Sequence, residues 1–164
     1  MLARSIIRCA VVLGLLGAHV TGGVRVGPIE VREGKGGVPC FTIPEAEEQR
    51  SGAPDFQSIS VAEAGPGPRP VLWSMSMPKP RTFPITFRMC IPYAGRLPVL
   101  PQTPAAALLP GRPYDVIIEV RTPQLAGAPR SYRARFCMTG TAPLHVQGLG
   151  AGAADPKARP VCSD

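Results

Sequence analysis

Hydrophobic and polar side chains alternate with a period of two along several short stretches of the chain. The clearest is YDVIIEVR, residues 114–121, which divides into an apolar face (Tyr114, Val116, Ile118, Val120) and a polar face (Asp115, Glu119, Arg121). Seven stretches that alternate, or are rich in β-branched and aromatic residues, are predicted to be strands: Val24–Glu33, Val38–Ile43, Phe56–Glu63, Val71–Met77, Thr86–Tyr93, Tyr114–Thr122 and Ser131–Met138. Turn signals such as GKGG, GPGPRP and PGRP separate them. The pattern predicts an all-β fold, an Ig-like β-sandwich of about seven strands.

The same alternation assigns side chains to faces. We expect the core to receive Phe41, Ile43, Trp73, Phe87, Met89, Ile91, Tyr93, Tyr132, Ala134, Phe136 and Met138. The opposite faces should carry Cys40, Arg88, Cys90, Arg133, Arg135 and Cys137. The three strand cysteines therefore lie away from the core, unlike the inter-sheet disulfide of antibody domains.

The composition supports short strands and many loops. The chain has 164 residues, with 21 prolines and 18 glycines, and no segment has a helical hydrophobic period. Proline is confined to sheet edges, bulges and turns because it cannot donate a ladder hydrogen bond. We expect one β domain at residues 23–139, followed by a tail rich in glycine, alanine and proline at residues 140–164.

The N-terminus has the layout of a secretory signal peptide. Arg4 and Arg8 precede an apolar run that fades into small residues by Gly22. The run is about 11 residues, whereas a transmembrane helix needs roughly 20, so no integral membrane span is predicted. Cys9 is a poor lipidation site because Arg8 precedes it and the apolar run follows it. Cleavage after residue 22 would lower the net charge from +7 to +5 and give a periplasmic protein.

The cysteine count favours disulfides. Four cysteines remain after the signal: Cys40, Cys90, Cys137 and Cys162. An even number in an exported chain is typical of disulfide pairing, although four cysteines allow three connectivities and the sequence does not decide among them. We favour Cys40–Cys90, which would join two strands, and Cys137–Cys162, which would fasten the tail to the last strand.

No catalytic, metal or cofactor site is predicted. The cysteines lack the C-x-x-C spacing of zinc sites, and His145, the single histidine after residue 22, lies in the expected tail. Glu45, Glu47 and Glu48 are interpreted as a solvated acidic loop rather than a catalytic pair. There is no G-x-S-x-G motif and no phosphate-binding glycine loop, so we expect the protein not to be an enzyme.

A candidate binding surface is defined by arginines. Arg88, Arg121, Arg133 and Arg135 are expected on outward faces of neighbouring strands, where they could recognise an acidic protein or a polyanion through bidentate contacts with carboxylate or phosphate. The alternative is that these are ordinary charged surface positions. Nucleic acid is not expected as a partner of an exported protein without interleaved surface aromatics. The oligomeric state stays open.

Four motifs resemble a family of small bacterial periplasmic proteins, mostly lipoproteins, assigned to type VI secretion immunity. They are GVPCFTI at residues 37–43, CIPYAG at 90–95, LPGRPYDVIIEV at 109–120 and SYRARFCM at 131–138. The resemblance implies that Cys40 and Cys90 are the paired cysteines of the family and that Gly111, Tyr114, Tyr132 and Phe136 are structural positions. This chain differs from the family in lacking a lipobox and in having a proline-rich insertion before Gly111.

The resemblance implies a function of binding rather than catalysis. The protein would neutralise a secreted antibacterial effector by blocking its active site, with loops or a strand edge as the contact surface. The alternative hypothesis is a cell-envelope structural or accessory Ig-like protein without catalytic activity.

Overall fold

The computed structural model describes residues 25–95, 100–121, 125–141 and 143–150, together with residue 162. The expected signal peptide, residues 1–22, lies outside the described residues. The strands are β1 (Val26–Pro28), β2 (Glu30–Glu33), β3 (Pro39–Thr42), β4 (Phe56–Glu63), β5 (Val71–Ser76), β6 (Ile91–Pro92), β7 (Pro113–Val120), β8 (Ser131–Thr139) and β9 (His145–Gly150). A 3-10 turn at Lys35–Gly37 and one helix, α1 (Glu45–Ser51), complete the described elements.

The strands form two sheets. The larger has the order β1-β8-β7-β4-β5, and β9 also pairs with β8; the smaller has the order β2-β3-β6. All pairs are antiparallel except β1 with β8, which is parallel. The strands β1 and β9 use different parts of β8, residues 131–133 and 135–139. The prediction of an all-β protein is therefore confirmed.

One hydrophobic core is shared by the two sheets. Phe41 on β3 contacts Phe136 on β8 with ring centroids 5.5 Å apart, and both side chains are fully buried. Trp73 on β5 is also fully buried and packs edge-on against Tyr93, just after β6. Burial of aromatic side chains of this size contributes strongly to the hydrophobic stabilisation of a domain.

The predicted strands are found with changed boundaries at two places. The stretch from Val24 to Glu33 is divided at Ile29 into β1 and β2, which belong to different sheets. The stretch from Thr86 to Tyr93 contains only the two-residue strand β6, because a turn closed by the Met89 N–H and the Thr86 carbonyl precedes it. As a result Met89 is 40% exposed, and its predicted place in the core was wrong.

Three further side chains lie in environments that alternation did not predict. Arg135 and Cys137 were expected on an outward face, yet both are buried on β8. Arg135 is directly opposite Asp115 on β7, with which it forms a bidentate ion pair, and Cys137 pairs with both β7 and β9 and is bonded to Cys162. Cys40 is likewise buried, on the central strand of the smaller sheet.

The acidic segment at residues 45–51 is a helix rather than a solvated loop. Pro44 precedes it, three acidic residues occupy its first turn, and Gly52 ends it with a positive φ of 75°. Acidic side chains stabilise the N-terminus of a helix through its dipole, and glycine adopts positive φ without strain. Glu47 is buried against Arg25 and Ser51, so this helix attaches to the domain through polar contacts.

Part of the expected tail belongs to the larger sheet. Strand β9 lies inside residues 140–164 and pairs with β8 from Thr139 to Arg135. Of the residues from 151 onward only Cys162 is described, and it is bonded to Cys137. The β domain therefore continues past the boundary expected at residue 139.

The proline-rich segment before β7 protects the edge of the larger sheet. Backbone hydrogen bonds join Ser76 N–H to the Pro101 carbonyl at 3.0 Å and Thr103 N–H to the Ser74 carbonyl at 2.9 Å. A third joins Ala106 N–H to the Leu72 carbonyl at 3.0 Å. The segment thus covers β5, and its prolines lack the N–H groups that another strand would use, which limits edge-to-edge aggregation.

Candidate functional site

The loop Thr86–Cys90 is held in place from three sides. The Phe87 N–H donates to Glu48 Oε2 on α1 at 2.7 Å, and Arg32 Nη1 on β2 donates to the Phe87 carbonyl at 2.8 Å. Thr42 Oγ1 on β3 donates to the Thr86 carbonyl at 2.9 Å. Because α1, β2 and β3 each contribute a contact, the loop has a defined conformation before any partner arrives.

A disulfide fixes the far end of this loop. Cys90 is bonded to Cys40 on β3, with Cα atoms 5.4 Å apart, and the second disulfide joins Cys137 to Cys162 with Cα atoms 5.8 Å apart. This is the connectivity favoured from the sequence. Cys90 itself is exposed whereas Cys40 is buried, so the bond anchors a surface loop to an interior strand.

The anchored loop presents two unlike side chains to solvent. Met89 is exposed, and Arg88 beside it is exposed with its guanidinium 5.4 Å from the centre of the Phe87 ring. Arg88 has no ion-pair partner among the described residues. The loop therefore offers an apolar group and a free cation within two residues.

An apolar groove of about 270 Å³ adjoins the loop. Its described lining consists of Met75, Phe83, Met89, Cys90, Ile91, Pro92 and Gly95. Two of these residues are methionines, whose side chains adapt readily to partners of different shape. We call the groove and the loop Thr86–Cys90 together the loop–groove surface.

The turn after β6 shapes one wall of the groove. Gly95 N–H donates to the Pro92 carbonyl at 3.0 Å, and Ala94 has a positive φ of 56°. A Cβ atom at Gly95 would lie only 2.7 Å from Pro92 Cγ, which is closer than carbon atoms pack. The glycine of the CIPYAG motif is therefore required by this close approach.

The four arginines predicted to form one surface have different environments. Arg88 lies in the loop before β6, Arg121 follows β7, and Arg133 is on β8. Arg121 Nη2 donates to the Pro80 carbonyl at 2.6 Å, and Arg135 is buried with Asp115. Only Arg88 lies beside a groove of apolar side chains, so it is the one of the four that we retain in the candidate site.

A second cleft, of about 290 Å³, lies between the end of α1 and the connection from β7 to β8. Asp55, Arg121 and Tyr132 are its ionisable lining residues. The Arg121 side chain is directed to the Pro80 carbonyl and its N–H donates to the Asp55 carbonyl at 2.9 Å. The cation of this cleft, Arg121, is therefore engaged by neighbouring loops.

Two buried tyrosines have strongly shifted pKa values. Burial raises the pKa of Tyr93 to about 12, and burial likewise raises the pKa of Tyr132 to about 12. Burial also raises the pKa of Tyr114, whose hydroxyl accepts a hydrogen bond from Leu109 N–H at 2.7 Å. These phenols are neutral structural groups at physiological pH.

His145 is a strand residue, not part of an unstructured tail. Its Nδ1 lies 3.2 Å from Glu33 Oε2, which also accepts the Val146 N–H at 3.1 Å. That backbone hydrogen bond, with a smaller contribution from His145, lowers the pKa of Glu33. The pair joins β2 to β9 across the two sheets.

Two general properties of the described residues bear on chemistry. No three His, Cys, Asp or Glu side chains among them are grouped closely enough to hold a metal ion. Within the same part of the chain, no helix is long and apolar enough to cross a bilayer.

No protein-family model matches the chain, no curated protein is significantly similar to it, and no solved structure is a significant structural match.

Proposed function

We propose that the protein is an exported binding protein of the immunity type, which neutralises a secreted antibacterial effector by covering the surface that the effector needs for activity. The observation that carries the proposal is the anchored loop Thr86–Cys90, which exposes Arg88 and Met89 beside an apolar groove. A rigid surface of this kind loses little conformational entropy on binding, so more of the contact energy becomes affinity.

The motifs and the disulfides are in agreement with this proposal. The cysteines of the resembled family, Cys40 and Cys90, hold the loop, and Tyr114 fixes the turn through hydrogen bonds between its hydroxyl and the backbone of Leu109. Disulfides persist in oxidising compartments, which favours the periplasm as the location. We further propose that the two sheets form an Ig-like sandwich. In place of the inter-sheet disulfide of antibody domains, this sandwich would have the disulfides Cys40–Cys90 and Cys137–Cys162.

Co-expression tests the proposed function. The product of the gene next to this one would be directed to the periplasm of a host with and without the protein, and growth would be followed. Rescue of growth is the expected result, provided that the neighbouring product is toxic alone. Continued toxicity in the presence of the folded, oxidised protein would contradict immunity and favour the envelope accessory role.

A further inference from the structure

The loop–groove surface has a composition that defines the chemistry of its partner. We propose that it binds a protein segment in which a large apolar side chain is next to a carboxylate, with the apolar group in the groove and the carboxylate at Arg88. This inference rests on the proposed function as a binding protein and specifies which surface acts and what it recognises.

The groove has a size and an apolar lining that suit one large side chain. Its volume of about 270 Å³ is close to the lower end of the range of about 300–1,000 Å³ that is typical of small-molecule pockets. Its described lining is mostly apolar. An anchoring aromatic or aliphatic side chain from a protein surface fits these properties, because interface hot spots usually fill desolvated apolar pockets.

The segment that carries the loop is basic. From residue 78 to residue 95 the chain carries Lys79, Arg81 and Arg88 and no acidic residue. All three cations are exposed. Glu48 on α1 accepts the Phe87 N–H at 2.7 Å, whereas Arg88 has no ion-pair partner among the described residues. Arg88 is therefore the group of the loop with which a carboxylate of a partner can pair, since an arginine guanidinium forms strong, bidentate contacts with carboxylates.

The orientation of Arg88 also favours a carboxylate next to the anchor. Its guanidinium lies over the Phe87 ring, which restricts its motion without neutralising its charge. Since Arg88 directly precedes Met89 in the loop, a partner that uses both presents an anionic group close to its apolar group. An anionic membrane could satisfy the same charges, but a groove of this volume with Cys90 in its lining fits a side chain better than a flat lipid surface.

Peptide selection tests this inference directly. Displayed random peptides would be selected on the oxidised protein, and we expect enrichment of Asp or Glu next to Phe, Leu, Trp or Met. The substitutions Arg88→Glu and Met89→Asp should each weaken binding of an enriched peptide by at least about tenfold. The substitutions Arg133→Glu and Val71→Asp are matched controls, because both positions are exposed and neither lines the groove.

Three results of the peptide and vesicle experiments would overturn the inference. The first is failure of the wild-type protein to enrich peptides above the level of the Arg88→Glu/Met89→Asp double variant. The second is enrichment of basic peptides. The third is binding of the wild-type protein to phosphatidylcholine–phosphatidylglycerol vesicles that the double variant loses and the control variants keep. Fluorescence of the single tryptophan, the buried Trp73, verifies that each variant is folded. Protection in the co-expression assay that survives the double substitution would leave the immunity function standing and reject this surface. Peptide enrichment by a protein that gives no protection would support this surface and contradict the immunity function.

Discussion

Arg133 and Arg135 lie two residues apart on β8 and point to the same side, yet their environments are opposite. Arg133 is exposed, while Arg135 is only 6% exposed and holds Asp115 at 2.7 Å and 3.1 Å. A period of two cannot distinguish them, because it defines the face of a strand but not what covers that face. The cross-strand register that places Asp115 opposite Arg135 decides the difference.

Removing the buried arginine should destabilise the fold far more than removing its exposed neighbour. Arg135→Ala leaves Asp115 without its bidentate partner, and we expect the free energy of unfolding to fall by about 2 to 4 kcal/mol. Arg133→Ala should change it by no more than about 0.5 kcal/mol. Guanidinium denaturation of both variants measures the difference. Equal effects would show that the Arg135–Asp115 pair contributes little.

Two tyrosines make the protein sensitive to alkaline pH. Tyr93 and Tyr132 have folded-state pKa values of about 12, against about 10 in an unfolded chain. Their contribution to stability is complete below pH 10 and is lost as the pH rises towards 12, because only the unfolded state then releases the protons. Denaturation at a series of pH values should show this decline, and it should be smaller in Tyr132→Phe. An unchanged slope in that variant would contradict the assignment.

The helix α1 shows how a short element can be held by polar groups. Glu47 is buried and accepts hydrogen bonds from Arg25 and from Ser51 Oγ, the latter at 2.9 Å. Arg25 Nη1 also donates to Ser51 Oγ at 3.1 Å. These contacts tie the segment before β1 to the helix, and Glu48 on the same helix orients the loop Thr86–Cys90.

Neutralising the buried glutamate tests this attachment. Glu47→Gln keeps the shape but replaces charged hydrogen bonds to Arg25 with neutral ones, so stability should fall by about 1 to 3 kcal/mol. Glu45→Gln is the control, since Glu45 is exposed and contributes only about 0.5 kcal/mol through the helix dipole. Thermal or urea denaturation compares them. A larger loss for Glu45→Gln would contradict the role of Glu47.

Sequence alternation correctly predicted the strands that have one face against the core. β4, β5, β7 and β8 are of this kind, and their predicted boundaries agree closely with the structure. The helix α1 was missed because its buried residue is acidic, although Pro44 before it and Gly52 after it are helix boundary signals. β9 was missed because its sequence, HVQGLG, is rich in glycine and its pairing with β8 is a tertiary contact.

The candidate site was only partly predictable for a similar reason. Arg88 and Cys90 were identified as outward-facing residues, but the groove beside them also requires Met75 from β5 and Phe83 from the segment before Thr86. The described lining comes from residues 75–95, but it depends on how β5 and β6, which belong to different sheets, come together, and alternation does not predict that. Met89 was placed in the core because alternation was extended through a turn that interrupts it.

The two disulfides of the molecule should stabilise the fold to a similar extent. They should differ more in their effect on peptide binding. They are separated by 50 and 25 residues, for which chain entropy gives upper stabilisations of about 4 and about 3.5 kcal/mol. Replacing Cys40 and Cys90 by alanine should release the loop and abolish binding of the selected peptides. Replacing Cys137 and Cys162 should leave that binding intact, and denaturation and peptide titration of both variants measure these effects. Loss of binding in both would contradict a local role for Cys40–Cys90.

The strands β1 and β9 both pair with β8, and this determines when the larger sheet can be completed during synthesis. β1 can pair only after Ser131–Arg133 have been synthesised, and β9 follows later still. A sheet closed by contacts of such long sequence separation folds slowly, since loop-closure entropy has to be overcome before its pairs form. The nascent chain therefore emerges from the ribosome with β1 unpaired, and the sheet is completed only when the last strands have been made.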